Sequence, residues 1–250
     1  MRPTKRHFLE VSAAEAHAAE TEALDGFNEY EKMLYLLGRH KKDLKNIQSM
    51  EQKAEFKKKI LPDYLPWIES ALSQGNGKQD NVLMTWLIWA IDSEQYHLAL
   101  EIAEYAIHQG LVLPENFDRT LCSAVAEEFA DKAKIAQKLN RPFEVAYLEK
   151  VAQLTDEQDM PDESRARLYR ELGLLKMTSD PEQGLAYLER ALELNLNIGV
   201  QGDVKKLRKQ LEKDEPKAED NLTTEQSAAR QAGRKVTAFC LLIFPTLLFY

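Results

Sequence analysis

The chain has 250 residues, of which 44% are hydrophobic, so it is long and apolar enough for one large or two small folded domains rather than a disordered chain. Its two cysteines, Cys122 and Cys240, form neither a disulfide framework nor a zinc-ligand pattern, and they are typical of a reducing cytoplasm. Taken alone, a net charge of −8 argues against nucleic-acid binding.

Helix-forming residues dominate the composition. Ala, Leu, Glu and Lys are frequent, glycine and proline are sparse, and runs of β-branched residues are almost absent. This composition predicts an all-α protein. The pattern of its individual elements predicts an irregular helical bundle with tetratricopeptide-like hairpins in the C-terminal half.

The chain opens with a polar arm over residues 1–25. An alanine-rich helix is predicted at Ser12–Leu24, and the stretch is too polar for a secretory signal. Apolar residues then recur at helical spacing from Phe27 to Ile47, which predicts an amphipathic helix. Because Lys41 falls within the apolar stripe, an interruption of this helix is predicted near Gly38.

The negative charge is unevenly distributed. The segment from Glu31 to Ile60 contains nine Lys or Arg and four acids, a net charge of +5, so the rest of the chain carries −13. Such a segment can neutralise backbone phosphates of DNA; the alternative is a solvated face whose lysines balance nearby acids. Residues 26–75 are therefore predicted to form a basic helical DNA-binding region, with the contacts made by Arg39, Lys41, Lys42, Lys45, Lys53, Lys57, Lys58 and Lys59.

The second basic helix, Glu51–Ile60, is predicted to stop where Pro62 interrupts it, and Pro66 starts another short helix. Asn81–Ile91 is apolar on almost every side, which predicts a buried helix. A helix over Tyr96–Gln109 follows and ends at Gly110. The three tryptophans lie among apolar neighbours, so they are predicted to belong to the core rather than to stack on bases: Trp67, Trp86 and Trp89.

Residues 76–212 are predicted to form a scaffold of helical hairpins. Pro114–Leu139 and Phe143–Leu154 supply helices in its middle, and a charged helix over Gly202–Glu212 ends it. The hairpin within Leu168–Asn195 resembles a tetratricopeptide repeat. Only two imperfect copies are found and a solenoid normally needs three, so hairpins packed in an irregular bundle are favoured.

Residues 213–250 are predicted to be a disordered polar linker with a short apolar tail. The tail, Val236–Tyr250, has 15 residues with Pro245 inside, whereas a membrane-spanning helix needs about 20. A weak anchor and a tail buried on a neighbouring subunit are both open, but an altered reading frame in place of a basic tail is favoured.

Few sequence patterns match the carboxylate sets that hold Mg²⁺ for phosphodiester hydrolysis. Pro-Asp pairs occur at Asp63 and at Asp162, the latter followed by Glu163, and two Glu-x-Lys patterns lie at Glu51 and Glu55. None lies on a predicted strand, so Asp63, Asp162 and Glu163 are weak catalytic candidates, with Mg²⁺ their only possible cofactor. Gly75–Lys78 lacks the remaining residues of a phosphate-binding loop and predicts a helix–helix turn.

Several stretches, in order, resemble the small-subunit terminase family of temperate contractile-tailed phages, the M gene product family. The most specific are Leu61-Pro-Asp-Tyr-Leu-Pro-Trp67 and Gly75-Asn-Gly-Lys-Gln-Asp80. They are accompanied by Tyr30–Leu34, Leu44–Ser49, Leu83–Thr85, Ala99–Ala106, Met160–Ala166 and Leu188–Ala191, so that the resemblance covers roughly residues 28–210.

This resemblance implies a subunit that binds concatemeric viral DNA at the packaging site in the host bacterial cytoplasm. It implies two protein partners, a large ATPase subunit and further copies of the chain, and no membrane. The family is catalogued as the endonuclease subunit, yet the carboxylates predict that this chain alone does not cut DNA. The alternative function is a non-enzymatic, tetratricopeptide-like adaptor, which would ignore DNA at every salt concentration.

Overall fold

The computed structural model describes residues 26–115 and 117–214, and all regular structure in these ranges is helical. The predicted all-α fold is therefore confirmed for them. The predicted arm over residues 1–25, with its helix at Ser12–Leu24, and the tail beyond residue 214 lie outside the described residues. The helices are α1 Glu29–Asn46, α2 Met50–Ile60, α3 Leu65–Gln74, α4 Asn81–Asp92, α5 Tyr96–His108, α6 Leu121–Lys138, α7 Val145–Thr155, α8 Asp162–Lys176, α9 Pro181–Leu194 and α10 Gln201–Asp214, with a 3₁₀ turn at Leu61–Asp63.

Helix α1 begins with a capping box. The Asn28 side chain accepts a hydrogen bond from the backbone N–H of Glu31 at 2.9 Å, and the Glu31 carboxylate accepts one from the backbone N–H of Asn28 at 2.8 Å. The predicted interruption near Gly38 is wrong, because the helix continues to Asn46. Gly38 is exposed with open space around it, and a single exposed glycine costs only about 1 kcal/mol in a helix.

Helix α4 is the centre of the described N-terminal part. Every residue from Val82 to Ile91 is buried, as its apolar sequence predicts. Helices α1, α2, α5 and α6 all pack against α4. Because a helix that is apolar all round must be surrounded, α4 fixes the positions of both basic helices.

Helix α6 begins later than its sequence predicts. The described residues 114, 115 and 117–120 are not helical, and the Thr120 side chain caps the observed start by accepting a hydrogen bond from the backbone N–H of Ser123 at 3.4 Å. Helix α7 packs against α5 and α6. Tyr96 lies between α6 and α7, 5.7 Å from the Phe129 ring and 5.2 Å from the Tyr147 ring, and this burial raises the pKa of Tyr96 to about 12.

The chain divides into two compact units, unit 1 up to Leu168 and unit 2 from Tyr169, with the boundary inside α8. This helix starts at Asp162, six residues before the predicted Leu168. Unit 2 is held together by an apolar cluster of Leu188, Val200, Val204 and Leu207. The likeness to tetratricopeptide repeats, and the functional division into 26–75 and 76–212, stay predictions.

Two glycines allow α8 and α9 to approach closely within unit 2. A Cβ on Gly173 would lie 2.6 Å from the Leu188 side chain and 2.9 Å from the backbone oxygen of Gly184. Any larger residue at position 173 would push these two helices apart. Close packing therefore explains why glycine stands at position 173.

Candidate nucleic-acid interface

An aromatic cluster attaches the basic helices to the body of unit 1. His40 of α1 lies 5.8 Å from the Phe56 ring of α2 and 5.7 Å from the Tyr64 ring that follows the 3₁₀ turn. His40 Nδ1 and Tyr64 Oη share a hydrogen bond of 2.8 Å, and Tyr64 packs 4.8 Å from Trp86 of α4. Burial lowers the pKa of His40 and raises that of Tyr64. The cluster gives α1 and α2 one rigid attachment.

The eight predicted DNA-binding cations differ in exposure. Arg39, Lys42, Lys45 and Lys59 are exposed, Lys41, Lys53 and Lys58 are half-buried, and Lys57 is buried. Among the described residues, Lys42, Lys45, Lys53 and Lys59 make no ion pair. These four cations are the ones whose charge is available to an external anion.

Lys57 is part of the structure rather than of the surface. Only 8% of its side chain is exposed, and its Nζ lies 2.5 Å from Asp92 Oδ2 at the end of α4. The same Nζ lies 5.7 Å from the centre of the Trp89 ring. An ammonium in this position needs its carboxylate partner, because an unpaired buried charge is strongly unfavourable. Lys57 therefore fastens α2 to α4.

Two more of the predicted cations have partners within the protein. Lys41 reaches across to α4 and donates a hydrogen bond to Thr85 Oγ1 at 3.4 Å, and burial lowers its pKa. Lys58 lies 3.0 Å from Glu55, one turn earlier on α2. The position of Lys41 explains how a lysine fits in the apolar stripe of an uninterrupted helix, with its stem packed and its amine satisfied.

A cleft of about 410 Å³ brings cations from distant parts of the sequence together. Lys53 and Lys58 of α2 line it, and so do Lys132 of α6 and Arg141, which follows α6. Lys132 donates a hydrogen bond to the backbone oxygen of Asp92 at 3.1 Å. Glu51, Glu55, Asp92 and Glu94 also line the cleft, so its excess of positive charge is small. Sequence reasoning missed Lys132 and Arg141 because no local charge cluster marks them.

The weak catalytic candidates lie on separate exposed elements. Asp63 ends the 3₁₀ turn, and Asp162 and Glu163 form the first turn of α8. The residues that the structure describes contain no group of three or more His, Cys, Asp or Glu able to hold a metal ion. Both Glu-x-Lys patterns lie on helix α2, where their side chains cannot form the strand-based arrangement of such nucleases.

The turn from Gly75 to Asp80 is built by contacts within the protein. Asp80 accepts hydrogen bonds from the backbone N–H groups of Val82 and Leu83 at 2.8 and 3.0 Å, and from Trp67 Nε1 at 2.8 Å. A Cβ on Gly75 would lie 2.1 Å from Tyr105 Oη. The helix–helix turn predicted there is confirmed. Within it, Asp80 caps α4, and Gly75 leaves room for the Tyr105 hydroxyl.

Trp67 differs in burial from the other two tryptophans. Trp86 and Trp89 are buried as predicted, whereas Trp67 is half-buried and stacks on Tyr30 with ring centres 5.7 Å apart. Both rings line a cavity of about 430 Å³ beside the turn.

In the described ranges, no helix has the length and apolar character needed to cross a bilayer.

Comparison with known proteins adds a family to this geometry. Residues 34–163 match the family described as phage small terminase subunit. The chain is 37% identical over 234 residues to the terminase, endonuclease subunit of Escherichia phage P2, which covers 93% of this chain and 92% of that protein. It is 28% identical over 96 residues to the probable terminase, endonuclease subunit of Haemophilus phage HP1, covering 37% of this chain and 34% of that one. No solved structure matches.

Proposed function

Because the chain belongs to the phage small terminase subunit family, we propose that it takes part in packaging viral DNA by binding the duplex through α1 and α2. The observation that carries the proposal is the set of uncompensated cations. Lys42, Lys45, Lys53 and Lys59 lie on these two helices without an ion pair among the described residues. Cations of this kind bind backbone phosphates by releasing condensed counterions, without selecting a base sequence.

The attachment of the helices supports the same proposal. The His40–Tyr64 hydrogen bond and the Lys57–Asp92 pair hold α1 and α2 in place on α4. A rigid array of cations loses less conformational entropy on binding than a flexible one, so more of the electrostatic attraction appears as affinity. The buried cation thus contributes to binding through position, and the exposed cations contribute through charge.

Cutting of DNA is a separate step, which we assign to the complex rather than to this chain. The relatives are named as endonuclease subunits. As partners of this chain in the host cytoplasm we propose a large ATPase subunit and further copies of the chain. Hydrolysis by metal ions needs converging carboxylates, and Asp63 and Asp162 are exposed on separate elements. Mg²⁺-dependent nicking by the purified chain, lost in Asp63→Ala or Asp162→Ala, would contradict this assignment.

The binding test uses Lys42→Gln/Lys45→Gln. The matched control is Gln153→Glu/Gln183→Glu, which changes the net charge by the same −2 at exposed positions outside α1 and α2. Because each phosphate contact contributes about 0.9 to the slope of log K against log salt, the first variant should lower the slope by about 2 and weaken binding at least about 10-fold at low salt. Gel-shift titrations over a salt series measure both quantities.

The control variant should keep the wild-type slope. Equal losses in the two variants would mean that only net charge matters, and α1 and α2 would then not be the interface. If the wild-type chain does not bind duplex DNA at low salt, the proposal fails and the adaptor function becomes the better one.

A further inference from the structure

Helix α10 of unit 2 has two faces of opposite character. Its buried side consists of Val204 and Leu207, which pack in the apolar cluster with Leu188. The opposite face carries four exposed lysines within about one quadrant of the helix. We call this set the α10 lysine stripe; it consists of Lys205, Lys206, Lys209 and Lys213.

The lysines of the stripe have no ion-pair partner within the described residues, whereas the neighbouring Arg208 lies 2.6 Å from Glu189 of α9. Of the two α10 acids whose side chains the structure describes, Asp203 lies to the other side and Glu212 borders the stripe. Neither of them makes an ion pair with a lysine of the stripe.

Helix stability does not explain the stripe. A cation in the last turn is favourable to the helix dipole, which accounts for Lys213 but not for Lys205 and Lys206 in the second turn. The pairs Lys205–Lys209 and Lys209–Lys213 place like charges four residues apart, an arrangement that destabilises a helix. A ligand that neutralises these charges would remove the repulsion.

We propose that the α10 lysine stripe binds the phosphate backbone of duplex DNA as a second contact surface, located in unit 2; the choice of DNA as the polyanion rests on the function proposed above. The stripe extends over eight residue steps, about 12 Å along the helix. This length matches about three to four phosphates of one DNA strand, which are spaced about 3.4 Å apart along the axis.

Duplex DNA fits the stripe better than an acidic protein segment does. Protein partners usually bury apolar anchors at the centre of an interface. The stripe contains no apolar side chain, since the apolar residues of α10 face the core of unit 2. A purely cationic face without anchors suits a ligand whose recognition is electrostatic and independent of sequence.

The experiment compares full-length variants by titration with a fluorescent duplex over a salt series. Lys205→Gln/Lys209→Gln removes two charges from the stripe at exposed positions, and glutamine maintains helix propensity. We expect the slope of log K against log salt to fall by about 2 and the affinity at low salt to fall about 10-fold or more. Gln153→Glu/Gln183→Glu, with the same net charge change, should leave both unchanged.

The outcomes separate this inference from the proposed function. An unchanged slope in Lys205→Gln/Lys209→Gln, with a lowered slope in Lys42→Gln/Lys45→Gln, would overturn the stripe and leave α1 and α2 as the interface. The reverse result would support the stripe and overturn the assignment to α1 and α2. An equal loss in the Gln153→Glu/Gln183→Glu control would overturn the stripe as a site, because net charge alone would then explain the effect.

Discussion

The exposed lysines Lys42, Lys45 and Lys59 of α1 and α2 have no carboxylate partner among the described residues, whereas two arginines that lie beside α6 are held by neighbouring segments. Arg119 makes hydrogen bonds to Glu127 at 2.8 Å and to Glu128 at 2.6 Å. Arg165 donates to the backbone oxygens of Thr155 and Gln158 at 3.1 and 2.8 Å. On α1, in contrast, neither Lys42 nor Lys45 has a described carboxylate partner.

The difference shows that a count of charges does not locate an interface. Around α6 the planar guanidinium groups join carboxylates and carbonyls of neighbouring segments, a structural use for which arginine is well suited. On α1 and α2 the exposed cations are mostly lysines, which stay hydrated and can exchange water or counterions for phosphate. Lys57 is the buried lysine of these two helices, and it tests the role of burial most directly.

The largest expected effect comes from removing the partner of Lys57. Asp92→Ala leaves a buried ammonium without its carboxylate, and breaking a buried pair costs about 3–5 kcal/mol. Since 28% of the Asp92 side chain is exposed, we expect a loss of free energy of unfolding at the lower end, about 3 kcal/mol. Urea denaturation followed by circular dichroism measures this loss.

The matched control for Asp92→Ala is Glu55→Ala, which removes the partner of Lys58 on the same helix. That pair is largely exposed, so its removal should change the free energy of unfolding by less than about 1 kcal/mol. Similar losses in the two variants would show that burial does not distinguish Lys57 from the other lysines of α2.

A smaller loss of stability is expected from changing Glu127 of α6, which pairs with Arg119 and accepts a hydrogen bond from Ser164. Burial would raise the pKa of Glu127, but hydrogen bonds from Ser164 at 2.6 Å and Arg119 at 2.8 Å outweigh it, so its pKa lies below the usual value. A carboxylate with a lowered pKa stabilises the folded state above its unfolded-state pKa, and this contribution disappears as the pH falls through the folded-state pKa.

Glu127→Gln should therefore cost about 1.5 kcal/mol at neutral pH, and the difference from wild type should shrink as the pH falls below about 4. Thermal unfolding of both proteins over a pH series provides the measurement. DNA affinity should change little, because Glu127 lies outside α1 and α2 and Arg119 remains paired with Glu128 in the variant. A difference that stays constant down to low pH would mean that the ionised form of Glu127 is not what stabilises the fold.

The smallest effect is expected at the cleft of about 410 Å³, which is lined by Lys53 of α2 and by Arg141 in the segment that follows α6. Acids such as Glu51 and Glu94 also line this cleft, so its attraction for phosphate is weak. Lys53→Gln/Arg141→Gln should reduce DNA affinity only a few-fold at low salt. Lys58→Gln is the control, since Glu55 already balances Lys58, and a larger loss in this control would remove the distinction between paired and unpaired lysines.

Much of the helical organisation could be predicted because its signals are local. Asp80 precedes an apolar run and caps α4, Pro62 interrupts α2, and the glycines at 75 and 77 mark the turn. The interruption predicted near Gly38 was wrong because a distant contact matters there: Thr85 of α4 supplies the partner that lets Lys41 lie in an apolar stripe. The start of α6 was predicted too early because the local cap at Thr120 was missed.

The sequence by itself determined that residues 26–115 and 117–214 have helices as their regular structure, that α4 is buried and that positive charge concentrates on the segment from Glu31 to Ile60, because periodicity, caps and composition are properties of neighbouring residues. Only the tertiary structure decided which lysines are available. Lys57 and Asp92 are 35 positions apart, and no local pattern joins them, yet their pairing buries one lysine and leaves Lys59 exposed two residues later. The reason is physical: the availability of a charge depends on its solvent exposure and its partners, and long-range packing determines both.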